Sequence, residues 1–462
     1  MNEARAALMR TAEVIADYHE SLPDRPVSPS LGPDELWDLL GGPLPEGPTP
    51  AGQVLELLVY GAEPGLVATA GPRYFGFVIG GSVSAATCAD LLATGWDQPA
   101  FNAVTAPAAA VIEEVAGGWL KEILGLPARA SFGFVTGGQG ANTVALAAAR
   151  HHVLAQVGWD VERDGLIGAP AVRVIAGAER HATIDRSLRL LGFGAAIVEP
   201  VPPAGNGAID VARLVSIVDG GPPGPTIVCL QAGNVNTGAC DDLVAGCEVA
   251  RRHGAWVHVD GAFGLWAGAS PATRHLVAGV EQADSWACDG HKWLNVPYDS
   301  GFVFCAHPDA HRAAMSLTAA YLVGHGTGSV RAPSDYVPES SRRARGFAVW
   351  AALQQLGRVG VAELVERCCR LARRFAAGLD AADGVEVVND VVLNQVLVHF
   401  GDDATTDRVI EAVQRGGTCW MGATVWQGRR LMRISVSNWS TTDADIDRSL
   451  AAVLAAAATV GP

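Results

Sequence analysis

Three short runs, VRVIA at 172–176, TIVCL at 226–230 and WVHV at 256–259, constrain the fold of this chain more than any other feature. Each is too short for a helix, rich in β-branched side chains and apolar at successive positions, the pattern of a strand covered on both faces. Helix-forming stretches lie between them, around 185–191, 211–218 and 241–252. Strands that alternate with helices build a mostly parallel sheet with helices on both faces. The predicted class is therefore α/β, and in such a sheet the working groups gather at the carboxyl ends of the strands.

The chain has 462 residues, more than one hydrophobic core serves. We divide it into an N-terminal helical segment, 1–75, a large domain, 76–358, and a small C-terminal α+β domain, 359–462. The first segment carries apolar residues at helical spacing over 3–22 and then a proline-rich stretch, so its stripe needs another surface to cover it. A partner subunit is the expected cover. The small domain reads as a helix at 361–379, strands at 385–388, 395–400 and 433–437, a helix at 407–415 and a last helix from Asp443. A net charge of −15 disfavours nucleic acid, whose phosphates need a basic face. No run of about 20 uncharged apolar residues appears, so no membrane span is expected. The N-terminus lacks the apolar core of a secretion signal, which points to the cytoplasm. Nine cysteines without CxxC spacing read as buried, reduced thiols, with no metal site.

The chemistry concentrates at Lys292. It stands between His291 and Trp293 in DGHKWL, just ahead of the strand-like GFVF at 301–304. A solvated surface lysine is one reading. The other draws on Asp260, which closes the WVHVD run and precedes a small-residue turn. A lysine amine that forms a Schiff base with an aldehyde, and a carboxylate that keeps a pyridine nitrogen protonated, are what pyridoxal phosphate requires. Upstream, TGGQGAN at 136–142 joins a strand to a helix, and the start of a helix behind a glycine-rich turn binds phosphate. No P-loop lysine follows, which counts against nucleoside triphosphates. His181, just past the first of the three runs, reads as a solvated loop side chain or as a ring stacked on a planar cofactor. Asn236 belongs to a polar stretch, 233–238, that is either a turn or a set of donors to the cofactor. Phe75 and Phe77, in PRYFGF beside paired glycines, are either plugs of a tight turn or a pocket wall, and Trp426 is a further aromatic candidate.

With these residues in view, the chain resembles the pyridoxal-phosphate-dependent group II amino-acid decarboxylases, the family of aromatic-amino-acid, glutamate and sulfinoalanine decarboxylases. The likeness runs through PRYFGF, TGGQGAN, His181, HVDGA, DGHKWL, SRRAR and RISVSNWSTTDADID. The resemblance implies a fold-type I transferase-like architecture with a seven-stranded sheet. It implies pyridoxal 5′-phosphate on Lys292, Asp260 at the pyridine nitrogen, His181 on the ring, and His291 with Gly138 and Gln139 at the phosphate. Asn236 is expected near the ring. It also implies a homodimer with shared active sites, in which Phe101 and the Phe75 loop cross to the second subunit, and a small amino-acid substrate. The expected reaction releases an amine and carbon dioxide. One departure stands out. The stretch 318–338, a candidate lid, has no tyrosine in its middle to return a proton to the substrate carbon; Tyr336 lies late in it and His325 is the substitute at hand. That leaves an aldolase, carbon–carbon lyase or aldehyde-forming reaction as the alternative.

Overall fold

The architecture is taken from a computed structural model that describes residues 3–316 and 331–460. Seven strands form the main sheet: β1 (Ser131–Val135), β2 (Arg173–Gly177), β3 (Val198–Val201), β4 (Thr226–Gln231), β5 (Trp256–Asp260), β6 (Ser285–Asp289) and β7 (Gly301–Cys305), in the order β1-β7-β6-β5-β4-β2-β3. The strands from β3 to β6 are parallel, and β7 runs against both of its neighbours. Alternation along the strands feeds two separate cores. Val174, Ala176, Ile227, Cys229 and Trp256 enter one face. Ile175, Val228, Leu230, Val257 and Val259 enter the other. Helices Gly138–Ala155 and Ala182–Leu190 cover the first face through Leu146, Val153, Ile184 and Leu188. Helix Leu243–Arg252 and part of helix Gly346–Asp380 cover the second. Burial on both faces is why β2, β4 and β5 are legible as unbroken apolar runs.

A second sheet, fully antiparallel, contains β8 (Val385–Val387), β9 (Gln395–Phe400), β10 (Gly422–Trp426) and β11 (Arg429–Ser435) in the order β10-β11-β9-β8. The strand expected at 433–437 is the second half of β11. The helix expected at 361–379 is the second half of Gly346–Asp380, which breaks at Gly357, where φ is +60°. Three strands, β3, β6 and β10, escape a sequence reading. β3 carries Glu199 and Pro200 at the sheet edge, where an unpaired side tolerates both, and β10 is a half-exposed hairpin arm.

At the N-terminus, helices Glu3–Ser21 and Ala51–Ala62 are tied by Arg10, whose Nε donates to Glu56 Oε1 at 2.9 Å. Neither Glu3–Ser21 nor Pro33–Leu40 has a buried residue, and Trp37, Leu44, Leu57 and Tyr60 stand in the open. Among the described residues no helix is long and apolar enough to cross a membrane. All nine cysteines are free thiols.

Candidate active site

β6 ends at Asp289 and the chain turns through one wide helical turn, Gly290–Leu294, that presents His291 and Lys292 at the carboxyl edge of the sheet. Asn295, in the left-handed region at φ +56°, ends the turn and clamps it. Its Oδ1 accepts from the N–H groups of Gly81 at 2.7 Å and Trp439 at 2.9 Å, and its Nδ2 donates to the Ser437 carbonyl at 3.0 Å. The PRYFGF loop and the C-terminal RISVSNW segment are thereby fastened to the lysine turn. A Cβ on Gly80 would stand 1.9 Å from the Lys292 carbonyl oxygen, so only glycine allows this approach.

Lys292 Nζ lies 3.0 Å from Asp289 Oδ2. Asp289, at 2% exposure, also accepts from the Gly138 N–H at 2.5 Å. Gly138, expected as a backbone donor to a phosphate, gives its N–H to this buried carboxylate. Helix Gly138–Ala155 still begins at this point, and the glycines before it keep the space open. A Cβ on Gly137 would come within 2.9 Å of His291 Cε1, and one on Gly301 within 2.4 Å of Gly137 Cα. The Gln139 side chain turns away and donates to Ser187 Oγ at 2.9 Å, leaving only its backbone toward the turn. His291 Nδ1 accepts from the Ser300 N–H at 3.3 Å, and its ring stacks on Tyr298 with centroids 4.3 Å apart. Burial lowers the His291 pKa, and Lys292 adds to this against the pull of Asp289.

Asp260, the last residue of β5, is 5% exposed. Its Oδ2 accepts from Asn142 Nδ2 at 3.1 Å and its Oδ1 from the Ala262 N–H at 3.3 Å. His181 caps helix Ala182–Leu190: its Nδ1 accepts from the Thr183 N–H at 3.3 Å and lies 2.9 Å from Thr183 Oγ1. The protein around the cleft lowers the His181 pKa by desolvation; Lys292 and Arg433 push the same way, while Asp260 and Asp289 oppose. Thr183 Oγ1 also accepts from Asn142 Nδ2 at 3.0 Å, so one amide ties the His181 cap to Asp260.

The remaining expectations divide. Phe77 is 61% exposed and stacks on Trp420 with centroids 5.5 Å apart, and Trp420 stacks on Tyr74 at 5.1 Å. Phe75, at 1% exposure, packs edge-on against Phe375 and offers no face to a ligand; the alternation inside PRYFGF sends it into the core. Trp426 is likewise buried, its Nε1 donating to Glu179 Oε2 at 2.9 Å. Asn236 turns toward the small sheet, where its Oδ1 accepts from Thr424 Oγ1 at 2.8 Å. Phe101 lines a cavity of about 590 Å³ with Pro99, Thr105 and Arg342, whose walls include none of Lys292, Asp260 or His181. Tyr336 is held beside β1, its carbonyl accepting from His311 Nε2 at 2.9 Å, and His325 lies outside the described residues. Sequence reasoning missed Asp289, Asn142 and His258. His258 sits two residues before Asp260 on one strand face, a spacing that could have found it.

Each half of the pyridoxal phosphate requirement has residues to meet it: an amine, a buried carboxylate with neutral partners, and a glycine-built cradle at a helix start. Comparison with known proteins gives the same reading. The family model described as the pyridoxal-dependent decarboxylase conserved domain matches residues 33–400. Tryptophan decarboxylase 1 of Oryza sativa subsp. japonica is 30% identical, across 95% of this chain and 90% of that protein. A phenylacetaldehyde synthase of a Rosa hybrid cultivar is 27% identical, across 78% of this chain and 72% of its own. The crystal structure of Oryza sativa TDC with PLP and tryptamine superposes with a TM-score of 0.92 at 26% identity, covering 99% of this chain and 98% of the other.

Proposed function

The chain belongs to the pyridoxal-dependent decarboxylase family, and from that premise we propose that Lys292 holds the cofactor, Asp260 faces its pyridine nitrogen and His181 lies against its ring. The cofactor is pyridoxal 5′-phosphate and the reaction is the decarboxylation of an amino acid. The assignment of roles rests on geometry: Asn142 ties Asp260 to Thr183, which holds the His181 ring, and the neighbouring strand ends at Asp289, 3.0 Å from Lys292 Nζ. When bound, pyridoxal phosphate supplies an electron sink for the pair left by the departing carboxylate. Asp260, oriented by neutral donors only, would be the residue that faces the pyridine nitrogen and favours a proton there. His291 and the backbone N–H groups of Gln139 and Gly140 take the phosphate at the helix start. Lys292 would hold the cofactor through its amine, the nucleophile that this chemistry needs at the sheet edge.

We propose an aromatic L-amino acid as substrate, on the exposed face of Phe77 and the Trp420 and Tyr74 rings stacked behind it. The tryptophan decarboxylase relative points the same way. A homodimer is proposed from the open apolar side chains of the N-terminal segment, 1–75, which covers its stripe on a partner. The large and small domains meet near the break at Gly357, and free thiols throughout suit the cytoplasm.

The test is spectroscopic and chemical. Wild-type protein with pyridoxal phosphate is expected to show a visible absorption band that Lys292→Ala loses, and to release carbon dioxide from an aromatic amino acid; no band in the wild type sinks the role assignment. One observation favours a second outcome. Residues 322–335 contain no tyrosine, and an aldehyde-forming enzyme stands among the relatives. Product analysis separates the two: decarboxylation alone leaves an amine and carbon dioxide, whereas the oxidative route consumes dioxygen and water and leaves an aldehyde, carbon dioxide, ammonia and hydrogen peroxide.

A further inference from the structure

Both groups assigned above to the cofactor ring, Asp260 and His181, lead back to a single amide. Asn142 Nδ2 donates to Asp260 Oδ2 at 3.1 Å and to Thr183 Oγ1 at 3.0 Å. Because an ionised carboxylate only accepts, the NH₂ end of the amide must face Asp260, and Oδ1 must face the other way. There it meets His258 Nε2 at 2.9 Å, which therefore carries the proton. His258 Nδ1 is then an acceptor, 3.0 Å from Ser285 Oγ, and Ser285 Oγ accepts in turn from Trp256 Nε1 at 2.9 Å. On the other branch, Thr183 Oγ1 accepts from Asn142 and so gives its own proton to His181 Nδ1 at 2.9 Å. That leaves the His181 proton on Nε2.

From Trp256 to Asp260 the direction of each bond is fixed by its neighbour, and at the His181 end Nδ1 takes both the Thr183 hydroxyl and the Thr183 N–H. His258, Asn142 and Ser285 are all buried, so water offers no substitute. We propose that Asn142, oriented by His258 and Ser285, is a positioning residue that sets the Asp260 carboxylate for the pyridine nitrogen and, through Thr183 Oγ1, supports the Nε2–H tautomer of His181 that the Thr183 N–H already favours. The inference rests on the roles proposed above for Asp260 and His181.

The experiment uses pyridoxal phosphate labelled with ¹⁵N in the ring, bound to the full-length protein, and reads the nitrogen chemical shift by NMR together with cofactor affinity. Asn142→Ala is expected to move the nitrogen signal from pyridinium toward neutral pyridine and to weaken cofactor binding about tenfold, the scale of one hydrogen bond to a charged group. Thr183→Val cuts only the His181 branch, so it should lower turnover and leave the nitrogen signal at its wild-type position. A pair of variants at His258 guards against misfolding of Asn142→Ala. His258→Gln retains an N–H for the Asn142 oxygen and is expected to keep the pyridinium signal, whereas His258→Leu, of similar bulk, is expected to lose it. A wild-type nitrogen signal in Asn142→Ala, or in His258→Leu, overturns the inference while leaving the proposed roles of Lys292 and Asp260 standing. Absence of any bound-cofactor signal in the wild type overturns those roles, and this inference with them.

Discussion

Asp260 and Asp289 end adjacent parallel strands, and both are buried, yet they are held in opposite ways. Asp289 receives the Lys292 ammonium at 3.0 Å and the Gly138 N–H at 2.5 Å. Asp260 receives only neutral donors, an amide and a backbone N–H. A buried carboxylate is costly unless its charge is met. Asp289 has a cation for a partner within the chain, whereas the partners of Asp260 are neutral. The difference teaches what separates two carboxylates at one sheet edge: one has a charged partner within the chain and the other has neutral partners, which suits the role proposed for Asp260 opposite a cofactor nitrogen.

The sharpest way to break the comparison is to make the two carboxylates neutral in turn. Asp260→Asn keeps shape and burial but removes the charge meant for the pyridine nitrogen. If the assignment holds, kcat/KM falls by about two to four decades, the equivalent of ~3–5 kcal/mol for losing one member of a buried ion pair. Asp289→Asn should cost less, about 10- to 100-fold, because Gly138 still finds an acceptor and only the charge-assisted contact to Lys292 is lost. Steady-state kinetics with saturating cofactor measures both. Equal losses in the two variants erase the distinction between them.

The difference was half legible in the sequence. Asp260 closes an apolar strand, and a carboxylate at that place has few structural reasons to exist. Asp289 sits three residues before Lys292 and reads as an ordinary acidic neighbour, because its burial comes from elsewhere: from Gly138 on another element and from Trp266, whose Nε1 donates to the Asp289 carbonyl at 3.0 Å. The glycines of TGGQGAN were readable as a phosphate-binding turn, but which of their N–H groups remain free depends on that same carboxylate. Phe75 and Phe77 illustrate the limit in the other direction. Their types are identical, and only the path of the loop, which places Phe77 at φ +52° against Trp420, decides which one is buried and which stands exposed. The SRRAR segment has a structural explanation that the sequence did not supply. Arg342 pairs with Glu113 through two bonds of 2.8 Å, Arg345 with Asp299 at 2.6 Å, and Arg343 with Asp90, so the three arginines pin the start of helix Gly346–Asp380 to three different elements.

The smallest effect probes the claim that the partners behind Asp260 are neutral. Burial pushes the His258 pKa down to about 4, against the pull of Asp260, the next largest influence. In the unfolded chain a histidine titrates near 6.5. Between these values the unfolded state holds a proton that the folded state refuses, so stability falls as pH drops from about 6.5 toward 4 and is unaffected by this group above about 7. At pH 5 the loss is ~2 kcal/mol, from about 1.5 pH units at ~1.4 kcal/mol each. His258→Gln has no proton to refuse. Urea denaturation of both proteins at pH 7 and pH 5 should therefore give the wild type a steeper loss than the variant, by about that amount. Parallel losses would mean that His258 takes up its proton in the folded protein as readily as in the unfolded one. The imidazolium would then face the Asn142 amide two bonds from Asp260, and the contrast between a carboxylate with neutral partners and one with a cation would no longer hold.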